Sequence, residues 1–210
     1  MTITKYGHAC LLVETGGARI LIDPGGWSSG FESLTDLNAV LITHSHPDHL
    51  VPDHVAELLK KNADMAVYTD SDSAAVLLKD GRVPCSEVKA GDSFEIGDVN
   101  VSVTGSHHAV VHPDIPVITN VGYYFDGFYY PGDNFTEPDR PVKVLALPLS
   151  APWSKVSETA EFVRLVKPEV VVPVHDGFLS KPELYENIVG RLSGSEVEIV
   201  HLNAAESHEF

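Results

Sequence analysis

The sequence predicts a mixed α/β fold in which two similar halves, each a β-sheet covered by helices, face each other. Short apolar strands alternate with helical stretches along the chain. In addition, a hairpin that ends at Asp23 and a second hairpin that ends at Asp133 are each followed by an apolar strand and then a helix. Packing the two sheets against each other, with the helices outside, buries the apolar faces of both sheets.

The first half opens with a predicted hairpin over residues 9–14 and 18–22, because two apolar runs flank Gly16-Gly17. A buried strand over residues 39–43 follows. Beyond Pro52 the apolar side chains recur at helical spacing, and two lysines stand near the end of this helix, where cations are favourable. The remaining elements of this half are a strand over residues 65–69 and a helix over residues 71–79 that Gly81 ends.

The second half repeats this layout. Asp126-Gly127 is typical of a two-residue hairpin turn between strands over residues 120–125 and 128–130. The last helix is predicted to open with a capping box, Ser180-Lys-Pro-Glu183, and to end near Gly194. The other predicted elements are strands over residues 94–96, 99–104, 144–147, 170–174 and 196–202 and a helix over residues 158–166.

Length, charge and cysteine content narrow the class of protein. The 210 residues predict a single domain over residues 1–210, and 14 Lys and Arg against 30 Asp and Glu give a formal charge of −16. Nucleic acid and anionic membranes are unfavourable partners, because both require a basic surface. The start has no charged leader before an apolar block, and no apolar run approaches the roughly 18 residues of a membrane span. Cys10 and Cys85 are the only cysteines, too few for a disulfide framework. We therefore expect a cytoplasmic protein.

The strongest chemical signal is His44-x-His46-x-Asp48-His49, which places four metal-competent side chains directly after a buried strand. In an extended loop, residues two apart point the same way, so His44 and His46 can chelate one ion while Asp48 and His49 turn towards a second. Imidazole and carboxylate ligands without thiolate suit Zn²⁺ first, with Mn²⁺ or Fe²⁺ open. The alternatives are a solvated histidine-rich loop and a helix cap in which Asp48 is the capping group, and both leave closely packed histidine and aspartate without a cation to organise them.

Three further ligand candidates each stand just beyond the end of an apolar strand: His107 or His108, Asp133, and His175. Loops that follow such strands gather at one edge of a sheet, so these side chains can meet the first cluster. Taken alone, Asp133 could be a turn residue and His175 a capped core histidine. Both alternatives are less favoured when these residues are considered together with the segment from His44 to His49.

Together these residues resemble the metallo-β-lactamase-fold superfamily of metal-dependent hydrolases. The resemblance spans nearly the whole chain, through the motifs Gly7-His8, Leu21-Ile-Asp-Pro24, Leu41-Ile-Thr-His-Ser-His-Pro-Asp-His49, His108, Pro131-Gly-Asp133 and Pro173-Val-His175. It is closest to a small intracellular branch that includes ascorbate-6-phosphate lactonase-like proteins. The resemblance implies a four-layer αββα sandwich.

The resemblance also implies a ligand set and supporting residues. One ion is held by His44, His46 and His108, a second by Asp48, His49 and His175, and Asp133 bridges them. The segment from His108 to Pro116 resembles a His-Ala-x-x-His-Pro pattern whose first histidine is the ligand, although His107 stays open. We expect His8 and Asp23 to support the ligands, since ligand imidazoles usually donate their other N–H to a nearby acceptor.

The predicted function is a binuclear metal-dependent hydrolase in which a metal-bound hydroxide attacks a small ester, lactone, thioester or phosphodiester. Asp48 is the predicted catalytic carboxylate, which orients the hydroxide. The alternatives are an iron-dependent oxygenase or oxidoreductase of the same fold, and a non-catalytic metal-binding protein. The sequence indicates a small-molecule substrate and leaves open a homo-oligomer, the metal used, and the roles of His112 and Trp153.

Overall fold

Two seven-stranded sheets form the centre of the computed structural model, which describes residues 1–79, 83–194 and 196–210. The first sheet contains β1 (Thr2–Lys5), β2 (Leu11–Thr15), β3 (Ala18–Ile22), β4 (Ala39–Ile42), β5 (Ala66–Thr69), β6 (Ser86–Glu87) and β14 (Glu206–Glu209). The second contains β7 (Ser93–Ile96), β8 (Val99–Thr104), β9 (Gly122–Phe125), β10 (Phe128–Tyr130), β11 (Val144–Pro148), β12 (Val170–Val174) and β13 (Glu198–Ile199). The helices are α1 (Pro52–Lys61), α2 (Ser71–Leu78), α3 (Val156–Val166) and α4 (Pro182–Ser193).

The two sheets repeat one order of strand pairing. In the first sheet β2 and β3 form an antiparallel hairpin, after which β3, β4 and β5 run parallel. In the second sheet β9 and β10 form the hairpin, and β10, β11 and β12 run parallel. The internal duplication predicted from the sequence is therefore confirmed.

Strand alternation builds the layers of the fold. Ile20 and Ile22 of β3 point into a core that the two sheets share, whereas Leu21 between them packs with Val55 and Leu58 of α1. On the outer face of the second sheet, strand residues pack with Phe162 and other side chains of α3 and with Tyr185 and Val189 of α4. Successive side chains of a strand point to opposite faces, so each sheet contributes to two cores, and the predicted αββα sandwich is confirmed.

Several local predictions need correction. The last helix begins at Pro182 with Lys181 as its N-cap and no side-chain cap, so the predicted capping box at Ser180 is wrong because Ser180 lies one position too early. The strand predicted over residues 196–202 is limited to β13, and the sequence does not predict β1, β6 or β14. The predicted end of the second helix at Gly81 lies outside the described residues. Among the described residues, no helix combines the length and the apolar character that crossing a bilayer requires.

Candidate metal centre

The loops that follow β3, β4, β8, β10 and β12 converge at one edge of the two sheets. They bring together the side chains of Asp23, His44, His46, Asp48, His49, His108, Asp133 and His175. Two of these residues, Asp23 and His175, have left-handed backbone conformations, with φ of 47° and 58°. Such conformations are uncommon outside glycine and concentrate at functional sites, and both occur directly after a strand end.

The first group of potential ligands contains His44, His46, His108 and Asp133, whose ligand atoms all lie within 4.8 Å of one another. Nε2 of His44 lies 3.1 Å from Nδ1 of His46, and Nε2 of His108 lies 3.3 Å from Oδ2 of Asp133. Three nitrogens and one carboxylate oxygen thus surround a common point, which is a donor set that suits a divalent first-row metal.

The second group contains His8, Asp48, His49 and His175, again within 4.8 Å of one another. Oδ2 of Asp48 lies 3.3 Å from Nε2 of His8, 3.6 Å from Nε2 of His49 and 3.4 Å from Nε2 of His175.

Asp133 connects the two groups. Its Oδ1 lies 3.3 Å from Nε2 of His49, and its Oδ2 lies 3.1 Å from Nε2 of His175 and 3.3 Å from Nε2 of His108. The carboxylate therefore reaches donor atoms of both groups, which is the position that a bridging ligand requires.

Most of the clustered imidazoles turn Nδ1 towards an acceptor, which directs Nε2 at the centre. His49 donates from Nδ1 to Oδ2 of Asp23 over 2.7 Å, and His175 donates to the carbonyl of Ser150 over 2.7 Å. The two others with this arrangement are His108, which donates to the carbonyl of Ala109 over 2.5 Å, and His44, whose Nδ1 lies 3.0 Å from the hydroxyl of Thr43.

His8 has the opposite arrangement. The backbone N–H of Gly177 donates to its Nδ1 over 3.0 Å, and burial lowers the pKa of His8, so the ring is neutral near pH 7. A neutral imidazole whose Nδ1 accepts a hydrogen bond carries its proton on Nε2. Nε2 of His8 therefore carries a proton and lies 3.3 Å from Oδ2 of Asp48, so it does not offer a lone pair to a metal.

Asp23 supports the cluster from behind. Its carboxylate is fully buried and accepts from Nδ1 of His49, from the backbone N–H of Thr43 over 2.8 Å and from the Thr43 hydroxyl over 2.7 Å. Asp23 thereby fixes both the tautomer of His49 and the chain just before His44.

The loop after β3 also holds the segment from His44 to His49 by its backbone. The N–H of Gly26 donates to the carbonyl of Pro47 over 2.8 Å. A Cβ on Gly25 would lie only 1.9 Å from the carbonyl oxygen of Asp48, so this position requires glycine to allow the two loops to approach.

The donor atoms at the centre fit a metal better than a hydrogen-bonded core. Among the described residues, Nε2 of His49, His108 and His175 and Oδ1 of Asp133 are buried without a hydrogen-bond partner. Buried polar atoms are almost always paired, because an unpaired one costs about 1–3 kcal/mol. Four such atoms directed at one region are explained if cations bind there.

The electrostatics of the centre follow from burial and close charges. Burial lowers the pKa of His44 well below its usual value. Burial opposes ionisation of Asp133, but the neighbouring His49 and His175 hold the pKa of this carboxyl well below its ordinary range. Burial would likewise lower the pKa of His175, but the charge of Asp133 and the nearby carboxylate oxygens of Asp133 and Asp48 raise it to about 9.

Two candidate histidines lie apart from the centre. His107 is exposed, and its carbonyl accepts from the side chain of Asn134 over 2.5 Å, whereas the neighbouring His108 is buried among the clustered groups. His112 is exposed in the loop that follows, where its Nδ1 accepts from the N–H of Asp114 over 3.2 Å.

Two residues contact the centre although the sequence assigns them no role there. The side chain of Asn120 accepts from the N–H of Asp133 over 2.9 Å and donates to the carbonyl of Pro131 over 2.9 Å, which fixes the turn that carries Asp133. Trp153, whose role the sequence left open, donates from Nε1 to Oδ2 of Asp133 over 3.0 Å. No sequence pattern marks Asn120, because its partners lie more than ten positions away.

A buried ion pair anchors the loop after β12. Nζ of Lys5 lies 2.6 Å from Oδ2 of Asp176 and also donates to the carbonyl of Pro173 over 2.9 Å. Both side chains are nearly inaccessible to solvent. The contact ties β1 to the segment that positions His175.

The centre opens into a cavity of about 290 Å³. Five polar residues of the centre line it, and the rest of its lining is apolar; the five are His46, Asp48, His108, Asp133 and His175.

Comparison with known proteins gives a family. Residues 2–175 match the Beta-lactamase superfamily domain. The chain is 40% identical over 199 residues to protein Rv0786c of Mycobacterium tuberculosis, and the alignment covers 92% of each chain. It is 29% identical over 240 residues to UPF0173 metal-dependent hydrolase MK1542 of Methanopyrus kandleri, and this alignment covers 100% of each chain.

The fold is also similar to that of Igni18, described as a novel metallo hydrolase from the archaeon Ignicoccus hospitalis. That comparison has a TM-score of 0.77 at 21% identity and covers 100% of this chain and 98% of Igni18. From the matched domain, the relative at 40% identity and the shared αββα architecture, we conclude that the chain belongs to the beta-lactamase superfamily.

Proposed function

We propose that the protein is a binuclear metal-dependent hydrolase of a small molecule. In this proposal His44, His46 and His108 hold one divalent ion, Asp48, His49 and His175 hold the other, and Asp133 contributes to both sites. The observation that carries the proposal is the set of buried, unpaired Nε2 and carboxylate atoms that converge around Asp133. The coarser assignment, a metal-dependent hydrolase, follows from the family and from relatives that bear this name.

Two bound divalent ions would activate a water molecule for attack and polarise the oxygen of the scissile bond, and Zn²⁺ suits the ligand set first. The protein's own groups would then orient the reactants. Asp48 lines the cavity, so its carboxylate is placed to accept a hydrogen bond from the attacking water. Nε2–H of His8 and Nε1–H of Trp153 would hold the carboxylates of Asp48 and Asp133 in fixed orientations.

The test compares metal content with turnover. Metal-free protein is prepared with a chelator and loaded with Zn²⁺, and both forms are assayed on a panel of p-nitrophenyl esters, a lactone, a thioester and bis(p-nitrophenyl) phosphate. We expect hydrolysis by the loaded form alone, with two zinc ions per chain by elemental analysis. His46→Ala should abolish turnover, whereas His112→Ala, a change in an exposed loop, should not.

Each alternative predicts a different outcome. Hydrolysis by the metal-free form would contradict the proposal. A coloured protein as purified, with an iron absorption spectrum and no hydrolysis of any substrate, would favour an iron-dependent oxygenase. Two bound metals with equal blank rates for the original protein and His46→Ala would indicate a non-catalytic metal-binding protein.

A further inference from the structure

The cavity beside the candidate metal centre has a wall made only of apolar side chains. Trp27, Val111, Pro152, Trp153 and Phe178 form this wall. The rings of Trp27 and Phe178 pack edge to face with their centroids 6.2 Å apart, and the ring of Trp153 packs against Phe135 at 5.0 Å. The wall is therefore built from rings that neighbouring aromatic side chains hold in place.

This wall faces solvent more than apolar side chains usually do. Trp27 is 57% exposed, Phe178 44% and Val111 38%. Exposed apolar groups that cluster around a concave site are typical of ligand-binding surfaces, because a bound apolar group removes them from water.

No lysine or arginine of the described part of the chain lines the cavity. Every ionisable group on its lining belongs to the candidate metal centre: His46, Asp48, His108, Asp133 and His175. Bound ions would contact the scissile group of the substrate. A second charged group elsewhere on the substrate would then lose water against the apolar wall and find no side chain of opposite charge there. Burying an unpaired charge is unfavourable.

We propose that the part of the substrate beyond the scissile bond is an uncharged apolar group, of ring or short-chain size, that binds against Trp27, Trp153 and Phe178. This inference rests on the proposed hydrolase function and narrows its substrate class. Substrates whose remote part carries a phosphate or carboxylate, such as nucleotides and sugar phosphates, should therefore be hydrolysed less efficiently.

The kinetic test uses three esters with the same leaving group and acyl chains of similar length. These are p-nitrophenyl hexanoate, the p-nitrophenyl monoester of adipic acid, which ends in a carboxylate, and p-nitrophenyl 6-aminohexanoate, which ends in an ammonium group. With the zinc-loaded protein we expect kcat/KM for the hexanoate to exceed that for both charged esters by about tenfold or more, equivalent to about 1.4 kcal/mol. Phe178→Lys should raise kcat/KM for the adipate ester relative to the hexanoate, and Leu184→Lys, an exposed position on α4 outside the cavity, should not.

A binding measurement separates this inference from the hydrolase proposal. Trp27 and Trp153 are the two tryptophans of the chain, and both line the cavity, so intrinsic fluorescence reports its occupancy. N-benzylhexanamide should change the emission saturably at lower concentration than N-benzyladipamate, its carboxylate counterpart. A fluorescence response without hydrolysis of any ester, lactone, thioester or phosphodiester of the panel would refute the hydrolase and leave the apolar site standing. Hydrolysis with a charged ester preferred, or amide binding no tighter than that of its carboxylate counterpart, would overturn the apolar site alone.

Discussion

The backbone N–H of Gly177 donates to Nδ1 of His8 across 3.0 Å, and this contact assigns the proton of the neutral His8 ring to Nε2. The two residues lie on loops that are 169 positions apart in sequence. The carbonyl of His8 also accepts from the N–H of His175 over 2.7 Å. His8 is thus fixed by backbone contacts on both sides, and its remaining ring nitrogen, Nε2, lies 3.3 Å from Oδ2 of Asp48.

We therefore expect His8 to orient Asp48 without binding a metal. His8→Ala should lower kcat by about 10–100-fold, the range typical of groups that support a metal ligand. It should keep two zinc ions per chain by elemental analysis, and His8→Gln should recover part of kcat because its amide retains an N–H donor. The loss of one zinc ion from His8→Ala would instead identify His8 as a ligand.

The two adjacent histidines should respond differently to the same substitution. His108 is buried with Nε2 in the cluster, whereas His107 is exposed. His108→Ala should lose one of the two metals and most of the activity, and His107→Ala should retain both. Titration of metal-free protein with Zn²⁺, followed by calorimetry, gives the stoichiometry directly; one site remaining in His107→Ala would reverse the assignment.

Asp23 should determine metal affinity although it touches no proposed metal position. Asp23→Asn retains the shape of the side chain and tolerates the left-handed backbone, but it replaces one oxygen acceptor by an N–H donor. We expect zinc affinity to fall by about 10–100-fold. Asp36→Asn is the matched control, since Asp36 is exposed and also left-handed, with φ of 60°. Similar zinc affinities for both variants would argue against this role.

The buried pair Lys5–Asp176 should contribute to stability, whereas an exposed pair of the same length should not. Lys5→Met leaves the Asp176 carboxylate buried without its cation, which typically costs about 3–5 kcal/mol. Lys60 and Glu57 are also 2.6 Å apart, but both are exposed, so Lys60→Met should change the unfolding midpoint little. Urea denaturation measures both variants. Equal midpoints would show that the buried pair is not stabilising.

Zinc binding should release protons near neutral pH. In the metal-free centre, the charges of Asp133 and Asp23 overcome burial and raise the pKa of His49 well above its usual value, and the pKa of His175 rises to about 9. A protonated imidazole cannot bind a metal, so both protons must leave, and the apparent affinity should increase as the pH rises from about 6.5 to 9. Calorimetry in two buffers with different ionisation enthalpies measures the release. Identical heats in the two buffers would contradict it.

Much of the fold could be predicted from local patterns. The hairpin at Asp126-Gly127 is an example, because both residues adopt positive φ, 47° and 80°, as a tight turn between strands requires. The missed strands β1 and β14 show the limit. They pair with each other from opposite ends of the chain, and β14 is polar and exposed, so no apolar periodicity marks it.

The candidate site divides in the same way. The residue types, the spacing of His44, His46, Asp48 and His49 and the strand that precedes them follow from the sequence, because a short loop fixes them relative to one another. Two points stay predictions: the similarity to the branch that includes ascorbate-6-phosphate lactonase-like proteins, and the ligand role of each residue.

Only the tertiary structure decided which way each imidazole faces. Asp23 behind His49, Gly177 behind His8 and the burial of His108 in place of His107 all depend on contacts between loops from different strands. The chain encodes which chemical groups are available through local pattern. Their protonation and direction are set by partners that meet only when the two sheets pack together, and no sequence spacing specifies those partners.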